Sequence, residues 1–200
     1  DAETSDSVPK LNLDGEDVYN FEWSKGVEAF NHMSKDHLWA LLGIPDQHLL
    51  FFNTLQDPYG NHDPWTKEGE DWFKYSGRGE HLALCWHQLV GVVKMVQNAF
   101  SGKPILLMDK VGLGKTIQVM ALIAILAFYR EYYTTNGCFP GKIGKIAGKQ
   151  WRGDTLNIPD LSIILVILAA LIHQFTSELH QYLRQGSFDI LPYNGIWSNS

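Results

Sequence analysis

Pro104-Ile105-Leu106-Leu107-Met108-Asp109-Lys110-Val111-Gly112-Leu113-Gly114-Lys115-Thr116 joins a short apolar run to a glycine turn, a lysine and a threonine, and the fold is decided by how this stretch is read. Pro104 to Met108 has the form of a buried strand, and Thr116 to Tyr133 that of a long helix, apolar on nearly every face in its first part. Strand, glycine turn, helix is the order in which several backbone N–H groups converge at a helix N-terminus, where the dipole also favours an anion. Gly112 and Gly114 supply the freedom for close backbone approach. Lys115 would then set a cation on the β- and γ-phosphates, and the Thr116 hydroxyl would ligate the Mg²⁺ bridging them. The strict phosphate-loop pattern asks for glycine five residues before Gly114, and Asp109 stands there. A Gly-x-Gly-Lys-Thr can also arise in a surface turn; the flanking strand and helix favour the phosphate loop.

Outward from the loop, Leu82 to Phe100 has helical periodicity. Downstream, Leu161 to Leu168 reads as a strand, Ala169 to Leu183 as a helix stopped by Gly186, and Phe188 to Leu191 as a third strand. Alternating helix and strand argues for an α/β fold with a parallel sheet covered by helices. Residues 134–159 carry five glycines and four basic residues and are expected to form a long, mobile loop. Upstream, Val27, Phe30, Met33, Leu38, Leu41 and Leu42 recur at helical intervals, with Ser34 as a cap between two short helices and Gly43 as a stop. Pro45 suits the start of a helix through His48 to Phe52, and residues 57–64 are turn chemistry. Residues 1–20 read as a polar, acidic lead-in.

The net charge of −6 hides an asymmetry, since residues 1–80 hold 6 Lys/Arg against 16 Asp/Glu and residues 81–200 hold 10 against 6. We therefore divide the chain into an acidic N-terminal extension, 1–80, and a lobe, 81–200. The acidic half is a poor nucleic-acid surface and a candidate for a protein partner. Cys85 and Cys138 form no Cys-x-x-Cys pair, which argues against a disulfide framework or zinc ribbon and for a reducing compartment. The run from Leu161 to Ile172 falls short of the roughly twenty residues a spanning helix needs, so no membrane partner is expected. The N-terminus shows neither a basic n-region nor an apolar h-region.

The loop resembles the first motif of the Swi/Snf-type branch of helicase-like, superfamily 2 ATPases, typically Asp-Glu-Met-Gly-Leu-Gly-Lys-Thr followed by Gln; Asp109 and Thr116-Ile117-Gln118 fit it. Leu84-Cys85-Trp86-His87-Gln88-Leu89-Val90-Gly91-Val92 resembles the family's Leu-x-x-Tyr-Gln-x-x-Gly-Val segment. Leu171 to Glu178 resembles Leu-Leu-x-Gln-Trp-x-x-Glu, and Gly186 to Tyr193 the next strand in some fungal members. The resemblance covers residues 80–195 and implies part of an incomplete RecA-like (P-loop) sheet flanked by helices. It also implies ATP with Mg²⁺ as cofactors, DNA or chromatin as a partner of the full-length protein, and a nuclear location. ATP would be held by Asp109, Lys110, Val111, Gly112, Leu113, Gly114, Lys115 and Thr116, with Gln88 reading the adenine edge.

Lys110 stands where the family has Glu, and Leu168 where it has the Pro that ends the second strand. No Asp-Glu dipeptide occurs in the 200 residues, so the Asp-Glu-x-His box that completes the Mg²⁺ shell is missing. So are the arginine fingers of the second lobe, one of which is worth about 10³–10⁵ in rate. Binding without turnover is the expectation for this segment, and its catalytic residues stay unassigned. A non-catalytic relic or interaction module that keeps the phosphate loop is the alternative. A self-contained nucleotide kinase is disfavoured by the lack of lid arginines after the loop. His173 and His180 lie seven apart on one helical face without a third ligand, and the seven scattered tryptophans suit packing better than base stacking. The basic residues Lys142, Lys145, Lys149 and Arg152 suit phosphate contacts and a solvated loop equally.

Overall fold

The computed structural model describes residues 27–143, 151–152 and 156–193. The lead-in over residues 1–20, Trp23, Lys145 and Lys149 lie outside them. Ser34 opens helix α1 (Lys35–Leu42) by accepting the His37 N–H at 3.2 Å, and Gly43 closes it in the left-handed conformation, φ 73°. Helix α2 (Lys67–Tyr75) is opened in the same way by Thr66, which accepts the Gly69 N–H at 3.1 Å. Helices α3 (Trp86–Phe100), α4 (Lys115–Asn136) and α5 (Ile172–Tyr182) follow, α5 entered through a 3-10 turn at Ala169–Leu171.

Helix α3 packs on α1 and α4, and α5 packs on α4. The reason is visible in the spacing: Leu89, Val92, Val93, Val96 and Phe100 fall at i, i+3, i+4, i+7 and i+11, one helical face, and all are buried. On α4 the buried apolar positions include Ile117, Met120, Ala121, Ala124, Ile125 and Tyr129. Each large side chain withdrawn from water contributes about 1.5–3 kcal/mol. Tyr129 is fully buried and donates its hydroxyl to the Leu42 carbonyl at 2.7 Å; burial pushes its phenol far above the ordinary value. Core side chains come from both sides of residue 80, Leu38, Leu42 and Phe52 among them.

The α/β character holds, but the expected RecA-like parallel sheet is not found among the described residues. Among the described residues the only sheet is a two-stranded antiparallel pair, β1 (Leu55–Gln56) and β2 (Glu80–His81), with Leu55 opposite His81 and Gln56 opposite Glu80. Residues 104–108, 161–168 and 188–191 form no strand, and Leu106, Met108, Ile164, Val166 and Leu191 are exposed. The physical reason lies in what a parallel ladder demands: neighbours along both edges and helices over both faces. Apolarity marks a segment as able to enter such a ladder and says nothing of its neighbour. Here the helices bury their apolar faces on one another instead.

Two further expectations change. No helix forms over residues 48–52; Gln47 and Phe51 take positive φ there, and Phe52 forms an antiparallel bridge with Leu183. The stretch after α4 is not wholly a surface loop, since Phe139, Ile143 and Trp151 are buried and Phe100 meets Phe139 and Trp151 edge-on at 4.9 and 5.1 Å. Gly43 and Gly141 allow that approach: a Cβ on Gly43 would lie 2.4 Å from the Gly141 nitrogen. No helix of the described residues is long and apolar enough to cross a membrane.

The acidic segment is pinned to α5 through polar side chains. The Asn53 amide donates to the His180 and Gln181 carbonyls, both at 2.9 Å, and the Trp65 indole donates to the Leu183 carbonyl at 2.8 Å. His180 stacks on Trp65 with ring centroids 4.1 Å apart and sits 2.8 Å from Asp63. His62 repeats the pattern, stacked on Trp72 and 2.8 Å from Asp57. Asp57 is buried, which opposes its ionisation. The N–H of Tyr59, the His62 ring and the N–H groups of Asn61 and His62 outweigh that and hold the carboxyl below its ordinary value.

Two outcomes follow from Asp57. Asp57→Ala strands those donors and should cost about 2–3 kcal/mol in urea unfolding at neutral pH. A carboxylate whose folded-state pKa is depressed contributes fully above its unfolded-state value and loses that contribution as pH falls through the folded-state one. Between pH 7 and pH 3 the wild-type chain should therefore lose more stability than Asp57→Asn, and parallel losses would refute the assignment.

Candidate nucleotide-phosphate loop

Residues 109–116 fold as one turn against the N-terminus of α4. Gly112 and Gly114 take φ of 84° and 78°, values that cost a residue with a Cβ about 1–2 kcal/mol. Gly114 is the N-cap of α4, so the first N–H groups of that 22-residue helix, which have no intrahelical acceptor, open toward the turn. A Cβ on Gly112 would meet nothing within 4 Å; one on Gly114 would lie 2.3 Å from Gln88 Nε2. Gly112 thus borders open space and Gly114 a close contact.

Lys115, the first residue of α4, folds its ammonium back over the turn and donates to the carbonyls of Asp109 at 2.8 Å and Lys110 at 3.0 Å. Thr116 follows it, half-buried. Lys110, Val111 and Leu113 are exposed. The positive group that sequence assigns to phosphate therefore lies on the inner side of the same turn as both glycines.

Gln88 reaches the turn from α3. Its Oε1 accepts the Cys85 N–H at 2.8 Å, one half of a capping box, and its Nε2 donates to the Leu113 carbonyl at 3.2 Å. The His87 Nε2 also lies 3.2 Å from that carbonyl. Every residue assigned to nucleotide binding is thus brought together, with Gln88 bound to the loop's own backbone.

Three contributions to this geometry were missed by sequence reasoning. Gln118 is fully buried and donates from Nε2 to Asp109 Oδ2 at 2.8 Å, so the Asp109 carboxylate is turned into the protein. Its Oε1 has no hydrogen-bond partner, and a buried acceptor left unpaired costs about 1–3 kcal/mol. Gly91, in the middle of α3, makes room for that amide: a Cβ there would sit 2.0 Å from Oε1. His87 is the third. A glycine inside a helix and a glutamine on an apolar helical face were the available signals.

The other candidate features are committed elsewhere. His180 is held by Asp63 and Trp65. Trp39 and Trp151 are buried, Trp86 donates its indole N–H to the Met33 carbonyl at 2.8 Å, and Arg152 stacks over Trp151 at 5.0 Å. A groove of about 620 Å³ lined by Arg130, Glu131, Thr134, Asn157 and Asp160 lies at the opposite end of α4 from the turn. Its polar groups are matched to each other, Arg130 to Asp160 and Asn157 to the Arg130 carbonyl. At Leu168 the backbone has φ −61°, the value proline's ring imposes, and ψ 135°, in the extended region proline readily adopts.

The SNF2-related domain, compared as a family model, matches residues 87–200, more than half of the chain. No curated protein and no solved structure matches it.

Leu168→Pro should be tolerated and should raise stability by about 0.4–1 kcal/mol through the unfolded chain; a lower urea midpoint would contradict the backbone reading. Gly114→Ala should cost more than Gly112→Ala, since both incur the left-handed penalty but only the former displaces Gln88. Equal costs in urea unfolding would show that the Gln88 contact does not shape the turn.

Proposed function

The chain belongs to the SNF2-related domain family, a helicase-like family of chromatin-remodelling type, and on that premise we propose that it binds ATP with Mg²⁺ on the Asp109–Thr116 turn. The observation that carries the proposal is the Lys115 ammonium held on the Asp109 and Lys110 carbonyls, at the head of α4 and beside two left-handed glycines. The residues fit a polyphosphate. Open space at Gly112 leaves room for it, the first N–H groups of α4 supply donors, and Lys115 supplies the charge once it exchanges two carbonyls for phosphate oxygens. Thr116 would hold the metal that the nucleotide brings, and Mg²⁺ would supply charge neutralisation between the phosphates.

Gln88 would read adenine by exchanging its bond to the Leu113 carbonyl for the base edge, which couples base recognition to the shape of the turn. Asp109 supports the turn from inside through Gln118. In a full-length protein this is the ATP-binding portion of a DNA-dependent translocase acting on chromatin in the nucleus, with the acidic front half open to a protein partner. These 200 residues would bind without efficient hydrolysis, because they contain no Asp-Glu dipeptide. A second reading, an interaction module that keeps a phosphate loop, is favoured by the exposed apolar runs at 104–108 and 161–168.

Calorimetry of Mg²⁺-ATP with the wild-type chain, Lys115→Ala and Lys110→Glu separates the two. Loss of the charged donor should weaken binding by about 10- to 100-fold, whereas Lys110→Glu, which restores the family's residue, should keep or tighten it. Absence of binding by all three would overturn the nucleotide reading in favour of the interaction module.

A further inference from the structure

We propose that Gln118 is a positioning residue for the loop: with Gly91 it latches the Asp109 carboxylate to the first turn of α4 and so fixes the entrance to the Gly112–Gly114 turn. The inference deepens the nucleotide-binding reading and rests on it. Gln118 has no exposed surface and lies on a helix face otherwise occupied by Ile117, Met120 and Ala121. A leucine would fill such a place without stranding a polar atom, yet here Oε1 is left without a partner while Nε2 bonds Asp109 at 2.8 Å. On the facing helix, Gly91 replaces what would be a better helix former, and the space it vacates is occupied by that same amide. Two local disadvantages, on two helices, serve one hydrogen bond.

The bond matters because Asp109 is tied to α4 twice. Its carbonyl accepts Lys115 Nζ, and its carboxylate accepts Gln118 Nε2. When Lys115 leaves the carbonyl for a phosphate, the first tie is lost and the second remains. The latch thus keeps the turn in place during the exchange that binding requires, and the Asp109 carboxylate acts as an anchor facing the protein interior instead of a ligand facing the metal.

The test is a double-mutant cycle on the full chain, read by tryptic cleavage after Lys110 without nucleotide, by Mg²⁺-ATP affinity, and by urea midpoint. Gln118→Leu and Asp109→Ala should each speed cleavage and weaken Mg²⁺-ATP about tenfold, and the pair together should do no more than either alone. Gln118→Glu sets two carboxylates against each other and should open the turn; adding Asp109→Asn rebuilds a donor–acceptor pair and should restore resistance to trypsin. Unchanged cleavage in Gln118→Leu, additive effects, or no rescue by the exchanged pair would overturn the latch. If wild-type chain binds no Mg²⁺-ATP the nucleotide reading falls, and the cleavage arm still judges the latch by itself.

Discussion

The buried faces of α3 and α4 press on each other along Leu89, Val92, Val93, Val96 and their neighbours on α4, and the geometry of the loop depends on that contact. Helix α3 brings Gln88 to the Leu113 carbonyl from its first turn and Gly91 to the Gln118 amide from its second. Helix α4 brings Lys115 and Gln118 to Asp109 from the other side. The loop hangs between two helix ends whose spacing is set by aliphatic packing several residues away. A methylene too many at Val92 or Val93, in a close-packed face, would move Gln88 and Gln118 apart before it touched the loop itself.

Around this pair the remaining elements act as braces of two different kinds. Helix α1 is braced apolarly, through Leu38 and Leu42, with the Tyr129 hydroxyl satisfying the Leu42 carbonyl that Gly43 leaves behind at the helix end. The acidic segment after it is braced by aromatic and imidazole stacking together with carboxylates. Two of the sixteen acidic residues of the front half, buried Asp57 and partly exposed Asp63, are therefore committed to histidines and backbone N–H groups. Net charge by itself cannot separate such carboxylates from those that face solvent.

What was legible in the sequence was what is local. Ser34 and Gly43 bracket α1, and the helix that ends at Phe100 was readable from its own residues, because caps and helical spacing involve residues within a few positions of each other. The glycine turn was legible for the same reason, since two positive φ values sit in five residues. The sheet was not, because strand pairing depends on a neighbour that an apolar run does not identify. Phe139, Ile143 and Trp151 were hidden among glycines and lysines, whose abundance signals exposure and masks three anchors. The role of Gln118 was missed although the residue itself was noted, since its partners are nine residues before it and on another helix.

The bridge between the front segment and α5 carries a consequence for the order in which the chain can be made. Asn53 waits for His180 and Gln181, Asp63 for His180, and Trp65 for Leu183, separations of 127, 128, 117 and 118 residues. Residues 50–66 cannot find their seat until the stretch through residue 183 has left the ribosome. At about 5–20 residues per second, that leaves Trp65 and Phe52 unsheltered for several seconds after their own synthesis. The helices around the loop form from nearer neighbours, so the glycine turn is assembled first and the acidic segment closes last, over a scaffold already standing.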